Sequence, residues 1–432
     1  SGGVAAAAAW AGLSGGPAAL AGVATQFLTT FLCSNEEKQL DVKDRLGLCV
    51  SIGSYCSSSF LGVCQTKRKT YCCFESKLTR ILQEQGMSYN AFTSRDCTIF
   101  YESMAADRLE VALELEADRM ENLLLVEEEF QSEMSVIREE RRQTVEDTPM
   151  GLLVEGVEAT VYLAHPYHWP IIGWMEDLER LRLSDVQAYY RDLYRPNNAV
   201  LVVVGDFDEP SMLAAVERSF GRIARGPDVP PLVDAEPLQR GERMFTVEKE
   251  VQLPALMLAW RTGEARGREA RVLNVIEFLL LHGRSSRLFQ SMIYQEQIAT
   301  GLGGGMQLRA GPSLFTLHAT ARPGVPLSRV GEAFDRALDG LAEQPVSEEE
   351  MAKVRRGMES DYVFGQEAHL EVALNLGEDE CRGSWRDYPA WLADCLSVTP
   401  EEVQATVRAV LTRSRRVTGR LVPISGDGRE QA

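Results

Sequence analysis

The chain has 432 residues, with 45 Lys+Arg against 63 Asp+Glu and a formal net charge of −18. That length suggests two to three domains, and 45% hydrophobic with 25% charged residues supports a packed core and excludes a wholly disordered chain. The acidic balance argues against a nucleic-acid binder, which needs a basic face to neutralise phosphate. No repeat of about 20–50 residues marks a solenoid.

Residues Ser1 to Asn35 contain no charged side chain and are rich in Ala and Gly. This opening reads as a low-complexity segment over 1–32. A weak membrane span or a signal core are the other readings, although no basic stretch precedes it. Residues 33–85 form a cysteine-rich block holding Cys33, Cys49, Cys56, Cys64, Cys72 and Cys73. It contains no C-x-x-C pair, so disulfides in a periplasmic or other exported compartment are favoured over a thiolate metal site. Residues 107–147 then carry fourteen acids and five bases, a different character again.

After Gly86, the run Thr98–Tyr101 predicts a strand that holds Cys97 as packing. Leu109, Ala112, Leu113, Met120, Leu123 and Leu124 recur at helical spacing, and a second helix is expected from Phe130 to about Val145. Ser184 is the expected cap of a helix that ends at Leu193, and Ala199–Val204 reads as a strand. Pro227, Pro230, Pro231 and Pro237 mark a linker over 226–242.

The second half repeats the plan. Val186-Gln187-Ala188 recurs as Val403-Gln404-Ala405, an offset of 403 − 186 = 217. The same offset carries 198–204 onto 415–421 and Glu133-Met134 onto Glu350-Met351. One shared register implies two copies of one α+β unit.

Glu133 and Glu140 are seven residues apart, on one face after two helical turns. Two carboxylates so placed can serve a divalent metal, one as ligand and one behind it. With Arg138, Arg141 and Arg142 interleaved, a solvated charged face gives the same pattern. His165 and His168 also sit at a ligand-like spacing, but Pro166 and Pro170 argue against the helix that would present them together. Gly301–Gly305 lack the Lys-Ser/Thr of a phosphate loop, and Gly12-Leu13-Ser14-Gly15-Gly16 has no strand before it to form a nucleophile elbow.

Two stretches resemble known families. Gly47-Leu48-Cys49, Gly53-Ser54-Tyr55-Cys56 and Tyr71-Cys72-Cys73-Phe74 through Gly86 are similar to the cysteine-rich part of TraN-type conjugative mating-pair stabilisation proteins. From Gly86 to about Pro423, Asn90-Ala91-Phe92-Thr93-Ser94, Leu115-Glu116-Ala117-Asp118-Arg119-Met120, Phe130-Gln131-Ser132-Glu133 and Val136-Ile137-Arg138-Glu139-Glu140 occur in order. His165-Pro166-Tyr167, Tyr194-Arg195-Pro196-Asn197-Asn198, Gly283-Arg284-Ser285-Ser286-Arg287-Leu288 and Val398-Thr399-Pro400-Glu401-Glu402-Val403 continue the pattern. This resembles the pitrilysin/insulinase family of zinc metallopeptidases, which includes the processing peptidases.

The resemblance implies an α+β fold of two homologous metallopeptidase-family domains (LuxS/metallohydrolase-like), over 86–225 and 243–425. It implies a zinc held by two histidines of an inverted H-x-x-E-H motif and by Glu140, with Glu133 as support and the motif's own Glu as general base on zinc-bound water. It further implies that the strand at Asn90, Ala91 and Phe92 binds an extended peptide or unfolded protein by backbone pairing. The chain departs from this pattern, because no histidine precedes His165. Subtracting 217 from the helical stretch 271–283 gives 54–66, which lies in the cysteine-rich block. The first domain is therefore expected to be truncated, with its first strands missing, sheet edge exposed and zinc not bound. A junction near Gln85-Gly86 inside a domain reads as the seam of a fused or chimeric chain. The expected functions are a catalytically impaired endopeptidase homologue, a non-catalytic binding partner of an active family member (as homodimer or heterodimer), or a disulfide-bonded surface interaction protein.

Overall fold

The computed structural model describes residues 81–82, 84–230 and 236–424, and the backbone alone of 3–11, 49–60 and 63–73. The expected disulfides of 33–73 and most of the Ala/Gly-rich opening lie outside what is described. No helix among the described residues is long and apolar enough to cross a membrane.

The first sheet contains β1 (Gly3–Ala11), β4 (Ser88–Thr93), β5 (Cys97–Ala105) and β6 (Ala199–Val204) in the order β4-β5-β1-β6. Every pairing in it is antiparallel. Between β5 and β6 the chain forms α1 (Leu109–Asn122), α2 (Glu127–Arg141), α3 (Pro149–Val161), α4 (Met175–Arg180) and α5 (Leu183–Leu193), and α6 (Glu209–Phe220) follows β6. The second sheet has the order β7-β11-β8-β10-β9, from β7 (Arg243–Lys249), β8 (Ala255–Arg261), β9 (Ala299–Gln307), β10 (Leu314–Ala321) and β11 (Arg416–Pro423). Only β7 and β11 run parallel. Its helices are α7 (Arg268–Leu281), α8 (Leu327–Glu343), α9 (Glu348–Gly365), α10 (His369–Arg382), α11 (Asp387–Leu396) and α12 (Pro400–Ala409). A separate hairpin pairs β2 (Cys49–Phe60) with β3 (Val63–Cys73).

The offset of 217 maps β5 (97 + 217 = 314) onto β10 and β6 (199 + 217 = 416) onto β11. The two halves are therefore two α+β domains of one plan. In the second half β8 lies between β10 and β11; in the first, β1 holds the corresponding place between β5 and β6. The expected loss of the first strands is thus corrected for one of them, while β6 is an edge among the described residues where its counterpart β11 is covered by β7. Pairing uses only backbone N–H and C=O, so an Ala/Gly run with no β-type side-chain pattern can still complete a sheet. The 54–66 expectation is refined as well. Most of those positions lie in the β2–β3 hairpin, whereas their counterparts at 271–283 are mainly helical α7.

Alternation along β5 gives each sheet face its partners. Phe100 and Met104 face α1, packing against Met120 and Leu113. Cys97 and Ile99 face the other way, against Ala373 and Cys381 of α10. That helix belongs in sequence to the second half. Reciprocally, Leu153, Val157 and Val161 of α3 pack on Ala255, Met257, Ala259, Val417 and Leu421 of the second sheet. Since 149 + 217 = 366, α3 and α10 are counterparts, and each half lends its helix to the other's sheet. Close seating of α3 depends on Gly156 and Gly419, where a Cβ would come within 2.5 and 2.7 Å of the Phe245 ring.

One detail differs from the sequence reading. The helix ending at Leu193 starts at Leu183, and its N-cap is Arg182, not Ser184. The Asp185 carboxylate accepts the Arg182 backbone N–H at 3.0 Å, which fixes the start two residues earlier.

Beneath β5, the Arg119 guanidinium contacts Glu116 at 2.8 Å and reaches Glu102 at 3.9 Å, all three buried. Burial first, then the nearby Glu116 charge, pushes the Glu102 carboxyl well above the ordinary carboxylate range. The folded state then keeps a proton that the unfolded chain releases above about pH 4.3, so this group's contribution falls as pH rises through that window. Glu102→Gln should match the parent's stability near pH 4 and exceed it near pH 8, measured by denaturant unfolding at both values. Leu153→Ala should cost about 2–5 kcal/mol. Because the helices are exchanged, it should lower one cooperative transition reported alike by probes in both halves; separate transitions would contradict the reciprocal packing.

Candidate functional site

Helix α2 buries Phe130, Met134, Ile137 and Arg141, a 4-3-4 spacing that makes one stripe. The stripe packs on Leu178 and Val186 of α4 and α5. Glu133 and Glu140 lie along the margin of this stripe, each half-buried. Burial alone raises the Glu140 carboxyl, and its Oε2 is enclosed without a hydrogen-bond partner among the described residues. The helix ends in a π-turn, Arg142–Glu146, where Asp147 N–H bonds the Arg142 carbonyl at 2.6 Å.

Arg141 fixes this helix in space. Its guanidinium bonds both Glu155 oxygens, at 2.8 and 3.1 Å, and the Gly173 carbonyl at 2.7 Å. Glu155 lies on α3, so α2 is tied to the helix that seats on the second sheet. The two carboxylates predicted from spacing thus share one rigid margin.

The five histidines are elsewhere. His165 is buried, its Nδ1 accepting the Tyr167 N–H at 3.2 Å. His168 Nδ1 donates to the Ala159 and Tyr162 carbonyls, 3.0 and 2.8 Å away. The prolines flanking them leave a 3₁₀ turn over Pro166–His168, with no helix to align the rings. His282 stacks on Phe278 at 4.2 Å. In the second half, Glu350 (counterpart of Glu133) pairs with Arg287 at 2.9 and 2.8 Å. Gly357, counterpart of Glu140, lies beneath Phe278 and His282.

Zinc sites are built mainly from imidazole and thiolate, usually four ligands in a tetrahedron. Two carboxylates on one helix margin do not fit that requirement. No group of three or more His, Cys, Asp or Glu able to hold a metal occurs among the described residues.

Strand β4 is an edge of the first sheet, pairing with β5 from Ser88↔Ser103 to Thr93↔Thr98. Its other side has no strand partner among the described residues. Asn90 is exposed, Ala91 and Phe92 are half-buried, and Asn90 Oδ1 accepts the Ala91 N–H at 2.8 Å. The β4–β5 turn meets the β9–β10 turn of the other half, a meeting that local sequence pattern did not reveal. There Asp96 accepts the Ala310 N–H at 3.0 Å and the Tyr167 hydroxyl. Glu158 of α3 is shared by Arg309, at 2.6 Å, and by Arg95. Burial and the Arg309 charge push the Arg95 guanidinium down to about 9. Arg309 also lies over the Tyr162 and Tyr167 rings, 5.2 and 5.1 Å from their centroids.

Comparison with known proteins agrees with this architecture. The model of "Insulinase (Peptidase family M16)" matches residues 68–173, and that of "Peptidase M16 inactive domain" matches 180–358. The chain therefore carries pitrilysin/insulinase-family M16 domains in tandem. The model "F-type Type IV secretion system, TraN" matches 19–97 and overlaps the start of the first.

Among particular relatives, the "Zinc protease PqqE" of Helicobacter pylori is 28% identical over 298 residues, covering 68% of this chain and 67% of the relative. An "Uncharacterized zinc protease" of Mycobacterium tuberculosis is 26% identical over 340 residues, covering 78% and 77%. The crystal structure of a protease from Helicobacter pylori shares the fold, with a TM-score of 0.83 at 21% identity over 98% of this chain and 95% of that one. An M16 inactive domain from Pseudomonas fluorescens does so at 0.77 and 15%, over 98% and 93%.

Glu158→Gln should leave Arg95 and Arg309 without their shared counter-charge and cost about 3–5 kcal/mol, read as a fall in the unfolding midpoint. A loss under about 1 kcal/mol would mean that the junction charges are solvated.

Proposed function

We propose that this chain is a zinc-endopeptidase homologue that holds extended peptides without hydrolysing them. The carrying observation is the margin of α2, where Glu133 and Glu140 keep the family's acidic positions while all five histidines lie elsewhere, at 165 or beyond. The described residues do not assemble a ligand set for a catalytic zinc.

The open side of β4 supports the binding role. An extended segment adding to this edge would exchange hydrogen bonds with the outward-facing backbone of Ala91, whose neighbours Asn90 and Phe92 direct their N–H and C=O groups toward β5. Its carbonyl would replace Asn90 Oδ1 at the Ala91 N–H. Phe92, half-buried beside Tyr101 with centroids 6.4 Å apart, would supply apolar contact for one side chain. A binding subunit of this kind suits a dimer, either with itself or with a family member that supplies the catalytic zinc.

A second reading rests on the TraN match over 19–97 and on the separate β2–β3 hairpin. Under it the cysteine-rich segment would be a disulfide-bonded interaction surface, a role that calls for a periplasmic or other exported compartment.

Metal analysis and peptide binding test the principal reading together. Purified protein is expected to hold well under one zinc per chain and to show no chelator-sensitive peptide cleavage. An extended peptide should bind, and methylating alternate backbone nitrogens should weaken it about tenfold, near 1.4 kcal/mol. Stoichiometric zinc that is lost in Glu140→Gln would overturn the reading. Free thiols throughout 33–73 in protein recovered from its native compartment would sink the second.

A further inference from the structure

Three cysteines lie among residues whose side chains are described: Cys97, Cys381 and Cys395. Cys395 is isolated from the other two, its thiol facing the Arg271 carbonyl at 3.9 Å. The other two meet. Cys97 opens β5 in the first half, and Cys381 sits in the last turn of α10. Their side chains share one apolar cluster with Ile99 and Ala373. Ser94 Oγ adds a contact to Cys97 Sγ at 3.4 Å.

The position gives this pair a consequence that Cys395 lacks. Helix α10 comes from the second half and covers the first sheet, where Ala373 and Leu374 pack beside Val200, Val202 and Val204. Gly383 ends the helix with φ +148°, two residues past Cys381. Fraying of that last turn is a small local opening that would admit a small oxidant.

We propose that Cys97 and Cys381 form a disulfide by exchange with a small organic disulfide, clamping the exchanged helix covalently to the sheet it covers. The thiolate of Cys97 attacks one sulfur of the reagent R–S–S–R, giving a mixed disulfide and releasing one RS⁻. The thiolate of Cys381 then attacks the Cys97 sulfur and expels the second RS⁻. The protons from the two cysteines end on the two released thiolates. The reagent takes two electrons and becomes two RSH, while the protein gains one S–S bond. Cys97 is the natural attacking group, since its neighbours Cys381 and Ser94 lower its thiol, while the adjacent Cys97 and burial raise that of Cys381.

The clamp joins residues 284 apart in sequence (381 − 97), so it constrains the unfolded chain over a long loop. The chain is incubated with oxidised glutathione a few degrees below its unfolding midpoint, alkylated, digested and mapped by mass spectrometry. A linked peptide pair containing Cys97 and Cys381 is expected, abolished by dithiothreitol, with Cys395 alkylated. The midpoint should rise by about 4 °C after oxidation in the parent. That rise should be absent in both Cys97→Ser and Cys381→Ala, so that poor folding of one variant does not decide the result. Finding both cysteines unlinked after the β2–β3 cysteines have oxidised, or each capped separately by glutathione, would overturn the proposal.

Discussion

The structure depends on a reciprocal loan of helices. Neither sheet buries both of its faces with helices from its own half. The first sheet turns Ile99, Val200 and Val202 toward α10, and the second turns Met257, Ala259 and Val417 toward α3. A sheet face left in water forfeits roughly 25 cal/mol per Å² of apolar surface. Each half therefore has a strong reason to keep the other's helix, and separation would expose two apolar faces at once. Exchange makes the two copies of one plan a single cooperative object.

This constraint reaches the candidate site through one side chain. Arg141 links the margin of α2, where Glu133 and Glu140 lie, to Glu155 on α3. Since α3 is seated on the second sheet, the acidic margin is positioned by the half of the chain that contributes no residue to it. The polar junction acts in the same sense. Asp96, Glu158 and Arg309 are withdrawn from water, so each needs its partner from the opposite element. Apolar burial supplies most of the attraction between the halves, and the charged junction restricts them to one register.

Much of this was legible in the sequence where local pattern determined the outcome. The helical spacing of Leu109 to Met120 became α1, which stops at Asn122 and leaves Leu123 and Leu124 outside it, and Ala199–Val204 became β6 at its expected bounds. The seven-residue spacing of Glu133 and Glu140 placed both on one helix margin. The shared offset of 217 anticipated the paired strands. It could not show that α3 and α10 change places, because an amphipathic stripe states that a face is buried and not against what. Arg95, Glu158 and Arg309 were passed over for a related reason, as their meeting depends on two turns 213 residues apart (309 − 96 = 213). Ser184 misled because its type favours an N-cap, while Asp185 one residue later caps the Arg182 N–H.

The first strand shows most clearly how fold and chemistry separate. Residues Gly3–Ala11 lack the alternation that marks a strand, yet they pair with β5 from Gly3↔Ala105 to Ala11↔Cys97 and with β6 on the other side. A sheet accepts such a segment because its ladder is written in peptide groups that every residue except proline carries in full. A metal site has no such tolerance, since it needs named side chains at fixed spacing within a few ångströms. Loss of the usual sequence near the start of the first half can thus leave the sheet continuous and the edge strand β4 intact, while removing what zinc would need. Strand addition at β4 draws on the tolerant kind of interaction and hydrolysis on the intolerant kind. On the proposed reading, peptide binding would therefore survive a change in this region that catalysis would not.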